Sequence, residues 1–161
     1  MPPSPPISTT SALDNETVAY WVEVAMALGF SRSIGEIYGL IFLSAEPLNA
    51  DDIVQKLGIS RSGVGQVLKT LAEIGAIRPV LHAQSRKDYY ELQNDLGVLV
   101  RLFLNSRVLP RLGELARRQH DLAERTRTSG PSHLVARYDK LDRWREKTSP
   151  LTSILKSLAS D

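Results

Sequence analysis

The sequence predicts a mainly α fold with a small β-wing, on three observations. The stretch from Leu48 to Ile74 has the form of two short helices joined by a tight turn, the helix-turn-helix pattern. Two short β-prone segments around a charged loop follow it. Apolar residues at helical spacing flank the whole on both sides. The expected organisation is a disordered tail over 1–13, an N-terminal helix with a winged helix-turn-helix over 14–93, and a helical region over 94–161.

The first residues, MPPSPPISTTSA, are rich in Pro, Ser and Thr and have little to bury. From Asn15 the pattern becomes helical, with Val18, Trp21, Val22, Ala25, Met26 and Leu28 marking a buried side that ends at Gly29. A second helix is expected from about Ser33, turning Ile34, Ile37, Tyr38, Ile41 and Phe42 inward and stopping before Pro47.

Within Leu48–Ile74, Asn49 is placed to cap the first helix, and Ile53 can pack back on Leu48 as a hydrophobic staple. Asp51 and Asp52 fall in the first turn, where negative charge complements exposed amides, and Gly58 follows Leu57 where a positive φ is wanted. Ser60 can cap the second helix. Val64, Val67, Leu68, Leu71 and Ile74 then recur at spacings of three and four, so one face is buried. The opposite face carries Arg61, Ser62, Gly65, Gln66, Lys69 and Thr70, donors and small residues suited to base edges and phosphates in a major groove. A polar face on any surface helix is also ordinary solvation, so the flanks must decide.

After Gly75, Ile77, Val80 and Leu81 read as a short strand and Tyr89, Tyr90, Glu91 and Leu92 as its return. Between them His82–Asp88 forms a loop of about seven residues with Arg86 and Lys87 near its tip, cations suited to backbone or minor-groove contact. Pro79 confines its strand to an edge or a first position. Asn94 is expected to cap a third helical region, with Leu96, Leu99, Val100, Phe103 and Leu104 on an apolar side. Pro110 kinks it or begins a new helix, which Gly130 and Pro131 end. The arginines of that stretch (Arg107, Arg111, Arg117, Arg118, Arg125, Arg127) read as a solvated face with local ion pairs to residues such as Glu114, Asp121 and Glu124. A last stripe, Leu134, Leu141, Trp144, Leu151, Leu155 and Leu158, suits packing against another helix, with Ser149 and Pro150 expected to interrupt it.

The segment GFSRSIGEIYGLIFLSAEPL, through Gly29, Ser31, Arg32, Gly35, Ile37, Tyr38, Gly39 and Leu40, resembles the GbsR-type branch of the MarR-like winged-helix transcriptional regulators. The resemblance continues through the helix-turn-helix and the RKDYY of the wing, covering most of Leu28–Leu92. It implies a homodimer built by the terminal helices, where the stripe alone leaves open packing on the chain's own N-terminal helix. Some members of that family respond to small osmolytes; a dimer in turn calls for a two-fold symmetric operator on double-stranded DNA, with repression expected and activation left open by the sequence. Gly65 departs from the small hydroxyl residue the family has there. The expected DNA contacts are thus Arg61, Ser62, Gln66, Lys69 and Thr70 on a recognition helix of about 60–74, with Arg86 and Lys87 on a wing of about 82–88.

Composition bounds the alternatives. The 161 residues hold 42% hydrophobic and 24% charged side chains, ordinary values for a folded soluble chain. Absence of cysteine removes disulfides and thiolate metal sites. The net charge of +2 is unevenly spread: residues 1–57 carry two basic and seven acidic side chains, residues 93–161 thirteen and eight. No apolar run long enough for a membrane span and no export signal is visible, which fits the cytoplasm. His82, His120 and His133 are scattered, and no phosphate loop, nucleophile motif or cofactor signature occurs, so neither enzyme activity nor a metal is expected. Tyr20, Trp21, Phe103, Tyr138 and Trp144 offer aromatic faces for an ammonium ligand, but amphipathic helices place aromatics in cores and interfaces by default, and the ligand site stays unassigned. The rival reading is a winged-helix module that docks a protein, favoured by the modest charge and by Gly63 and Gly65 in a helix that ought to be firm.

Overall fold

The computed structural model describes residues 12–82 and 85–160. The chain divides into two compact units, Met1–Asn94 and Asp95–Asp161. In the first, helices α1 (Ala12–Ala27) and α2 (Arg32–Leu43) precede a two-residue strand β1 (Leu48–Asn49) and α3 (Ala50–Leu57). Then come α4 (Arg61–Glu73) and the strands β2 (Ile77–Val80) and β3 (Tyr89–Leu92). Mostly helical, with a small three-stranded antiparallel sheet in the order β1-β3-β2, this is the winged-helix architecture. The expected tail falls outside the described residues up to position 11, and α1 begins at Ala12 rather than Asn15.

α1 and α2 are brought together by two glycines one helical turn apart. A Cβ at Gly35 would stand 2.4 Å from Val22 Cα, and one at Gly39 would stand 3.0 Å from Val18 Cα. Trp21 closes the junction, edge-on to Tyr38 at 4.6 Å and tilted against Phe42 at 5.3 Å. The core below is built from Ile37, Ile41, Ile53, Val64, Leu68, Leu71 and Ile77, all buried. Met26, Leu28 and Phe42 were expected inward but are exposed in this chain. Met26 lies on α1 and Leu28 in the turn after it, while Phe42 on α2 meets Trp21 with one side of its ring and leaves the other open.

The start and stop signals of the helix-turn-helix work as local chemistry requires. Asn49 Oδ1 accepts from the Asp51 and Asp52 amides (2.8 and 3.1 Å), and Asp52 Oδ2 accepts from the Asn49 amide (3.0 Å), a reciprocal capping box. Gly58 ends α3 at φ 66°, where a side chain would be strained, and its N–H donates to the Val54 carbonyl. Ser60 Oγ accepts from the Gly63 amide (3.2 Å) and starts α4. The sheet differs from the expected hairpin. Leu48 and Asn49 pair with Tyr90 and Tyr89, so the wing has a third strand and β3 is central. β2 stays at the edge, which accommodates Pro79 opposite Tyr90. Leu81 lies beyond β2 and is exposed rather than part of the strand.

The second unit holds α5 (Leu96–Phe103), a turn of π-helix (Leu104–Val108), α6 (Leu109–Ser129) and α7 (Ser132–Ser160). The cap of α5 is Asp95, not Asn94. Its Oδ1 accepts from the Val98 amide (3.1 Å), and a carboxylate suits a helix N-terminus better than an amide. Leu96 and Val100 are exposed, whereas Leu104 is buried. The wide π turn leads into α6 with Pro110 in its first turn, where the missing N–H does no harm. Pro150 does not interrupt α7. The helix runs through it, with the Thr148 hydroxyl donating to the Trp144 and Arg145 carbonyls in the turn before the proline. Arg127 ties α6 to α7, reaching Asp142 (2.7 Å) and Asp139 (3.1 Å) as well as Glu124 (2.6 Å). These carboxylates hold the Arg127 guanidinium even more firmly protonated than usual, and Arg127 followed by Gln119 holds the Asp142 carboxyl below its ordinary range.

Candidate nucleic-acid interface

The exposed face of α4 follows from its buried one. With Val64, Val67, Leu68 and Leu71 turned into the core, Arg61, Ser62, Gln66 and Lys69 project to solvent, and Thr70 is half-buried at the margin. Lys69 Nζ lies 3.9 Å from Glu73 Oε1, a long exposed pair one turn on that leaves the ammonium available. Gly65 adds no bulk, and nothing lies within 4 Å of where its Cβ would be.

The wing reaches this face through its register. Asn49 is paired with Tyr89, so Asp51, two residues after one, and Lys87, two residues before the other, come to the same end of the sheet. Asp51 Oδ2 is 2.8 Å from Lys87 Nζ, and Asp51 Oδ1 is ion-paired with the Arg61 guanidinium. One carboxylate thereby joins the first residue of α4 to the wing. A recess of about 330 Å³ opens at this point, lined by Asp51, Arg61, Gly65, Arg86, Lys87 and Tyr90. Burial, and then the neighbouring Asp88 carboxylate, push the Tyr90 phenol up, so it is neutral at physiological pH. His82 stacks on Tyr89 at 4.6 Å at the base of the wing. Ala83 and Gln84 of the expected wing loop lie outside the described residues.

A second recess of similar size, about 330 Å³, is lined by Ser31, Ser33, Ser60, Ser62, Gly63 and Gln66. Of the sequence-predicted residues, Arg61, Arg86 and Lys87 therefore share one recess and Ser62 and Gln66 the other, while Lys69 and Thr70 stand farther along α4. Sequence reasoning missed Asp51 as a partner of the basic residues, having assigned it to the helix start alone. It also missed Ser31 and Ser33. No local signal marks Asp51 for this role, because its approach to Lys87 depends on the pairing of Asn49 with Tyr89. Among the described residues no cluster of three or more His, Asp or Glu is arranged to hold a metal ion, and no helix is long and apolar enough to cross a membrane.

No protein-family model matches the chain. Among curated proteins it is similar to "Putative HTH-type transcriptional regulator YvaV" of Bacillus subtilis (strain 168), 21% identical over 90 residues, which is 56% of this chain and 51% of that protein. It is also similar to "HTH-type transcriptional repressor OpcR" of the same organism, 22% identical over 67 residues, 42% of this chain and 36% of that protein. The chain thus spans about half or less of the length of these relatives. A solved structure described as "Crystal Structure of a transcriptional regulator" superposes with a TM-score of 0.57 at 19% identity, covering 92% of this chain and 99% of that one, which supports the fold.

Proposed function

We propose that this chain is a sequence-specific DNA-binding transcriptional regulator, a repressor of the GbsR-type branch of the MarR-like winged-helix proteins that works as a homodimer on a two-fold symmetric operator. One observation carries the reading: the solvent face of α4 and the wing cations lie on the same side of the helix-turn-helix, with Arg61 and Lys87 on a common carboxylate. The α4 face, through Arg61, Ser62, Gln66 and Lys69, lies in the major groove with Thr70 at its edge, while Arg86 and Lys87 follow the adjacent backbone or minor groove. The hydroxyls of the second recess suit a flanking phosphate. The similarity to helix-turn-helix regulators supports the same reading.

The homodimer is supported by the second unit. Leu112, Leu115, Leu141 and Trp144 line an open groove of about 720 Å³ between α6 and α7, and Leu151, Ile154 and Leu158 extend the exposed apolar surface along α7. Covering it with a second copy sets the spacing of two recognition helices. A small-molecule effector would act by changing that spacing.

Anisotropy titration of duplexes enriched from a randomised pool tests the proposal. Expected is a preferred sequence with two-fold symmetry and binding that weakens steeply with salt. If all four cations of each subunit meet phosphates, the logarithmic slope approaches about −7 for the dimer. A flat, weak salt response with no enriched sequence sinks it and assigns the fold to protein docking instead.

A further inference from the structure

Asp51 and Asp52 are neighbours with different work. Asp52 turns its carboxylate back to the Asn49 amide and completes the cap, whereas Asp51 turns outward to Arg61 and Lys87. The Asp51 backbone is held by the cap, through its own amide to Asn49 Oδ1, and Asn49 is held in register with Tyr89. The carboxylate is therefore fixed from both the helix and the sheet.

We infer that Asp51 is the positioning residue of the interface, a yoke that fixes the wing relative to the recognition helix before DNA arrives; this rests on the DNA-binding function proposed above. Arg61 gives Asp51 its Nη1 and keeps Nη2 and Nε, and Lys87 has three donors of which the carboxylate takes one. Both cations reach phosphate without leaving Asp51. All three side chains are substantially exposed, so the yoke is maintained at the surface where DNA meets it. Its removal has two opposed effects. Non-specific binding follows net charge and strengthens, while operator binding loses the prearranged spacing of helix and wing. The signature is a narrowed preference rather than a uniform gain.

The test uses the full chain, a duplex enriched by the wild-type protein from a randomised pool, and a scrambled duplex of equal length. Asp51→Asn is expected to tighten scrambled-duplex binding, steepen its salt slope by about one per subunit, and lower the enriched-to-scrambled affinity ratio by roughly three- to ten-fold, the range of coupling between contacting residues. Asp51→Glu restores the ratio. In a Lys87→Ala background, Asp51→Asn no longer changes it. In the free protein, the Lys87 amide, which donates to Ser85 Oγ at 3.1 Å, exchanges faster in Asp51→Asn. Equal tightening on both duplexes, or unchanged exchange of the wing amide, overturns the yoke. A wild-type protein that enriches no duplex overturns the DNA-binding function and the positioning role with it; one that does, alongside an Asp51→Asn variant of unchanged preference, overturns the yoke alone.

Discussion

Asn49 pairs with Tyr89 across β1 and β3 while its side chain caps α3, so one residue joins the base of the wing to the first helix of the helix-turn-helix. It is buried, at 5% exposure, and its loss would leave the Asp51 and Asp52 amides without their acceptor. Asn49→Ala is expected to lower stability by about 1–2 kcal/mol, toward the upper end for a lost cap. Asn49→Asp should retain most of it. Urea unfolding decides, and an unshifted midpoint in the alanine variant would contradict the cap's role.

Two glycines should respond oppositely to alanine. At Gly35 a methyl group meets Val22 Cα and the Trp21 carbonyl, backbone that cannot swing aside, so Gly35→Ala must push α1 off α2. A loss of about 3 kcal/mol or more is expected, at the severe end of overpacking. At Gly65 the methyl enters open solvent in mid-helix, and Gly65→Ala should add about 0.5–1 kcal/mol through the unfolded chain's entropy. Thermal melts of the two variants should move in opposite directions.

What the sequence could tell was set by the range of the interaction. The caps at Asn49 and Ser60, the stop at Gly58 and the buried stripe of α4 are chemistry within one or two turns, and each was legible as a residue type at its position. β1 was not, because two residues form a strand only through Tyr89 and Tyr90, about forty positions away. The site divided along the same line. Arg61, Ser62, Gln66 and Lys69 follow from the periodicity of one helix, but that Arg61 and Lys87 share Asp51 depends on sheet register and could not be read from spacing. Met26, Leu28 and Phe42 show a further limit, since periodicity marks an apolar face without saying what covers it. Pro150 does not stop α7 because a proline removes a single donor, the one that would face the Glu146 carbonyl, and a helix of 29 residues continues past one such loss.

The ion-pair group of the second unit gives a pH signature. Arg127 and Gln119 hold the Asp142 carboxyl below its ordinary value of about 3.9, so the folded state binds that proton less readily than the unfolded chain. The stabilisation is therefore fully present above about pH 4 and is lost as pH falls from the unfolded value through the lower folded one. The melting temperature of the wild type should decline over that window. Asp142→Asn should flatten the decline while leaving the remaining carboxylates to titrate, and a variant as steep as the wild type would remove Asp142 from the account.

Self-association is expected to depend on the α7 surface. The wild-type chain should sediment at micromolar concentration with twice its 17.9 kDa mass. Leu151→Glu combined with Trp144→Ser places charge and polarity on exposed positions, so the fold has little to lose while a buried dimer face would have much. The double variant should sediment as a monomer with an unchanged far-ultraviolet spectrum. A wild type that is monomeric throughout would remove the symmetric operator from the proposed function.

Base reading and backbone contact should separate between Gln66 and Lys87. Gln66 is exposed on the middle of the α4 face, and its amide offers a donor and an acceptor in a fixed plane, the geometry that distinguishes one base edge from another. Lys87 is a point charge on the wing, steered by Asp51, and suits any phosphate. Gln66→Ala should therefore cost about 1–3 kcal/mol on the preferred duplex, little on a scrambled one, and relax the preference at a single base position in each half-site. Lys87→Ala should weaken both duplexes, the preferred one by the further roughly three- to ten-fold that the Asp51 yoke supplies, leave the preferred bases unchanged, and reduce the salt slope by about one per subunit. Paired salt titrations separate the two roles, because losing a base contact leaves the count of neutralised phosphates intact. If both substitutions lowered the slope equally and left the preferred sequence unchanged, α4 would be holding the backbone rather than reading the groove.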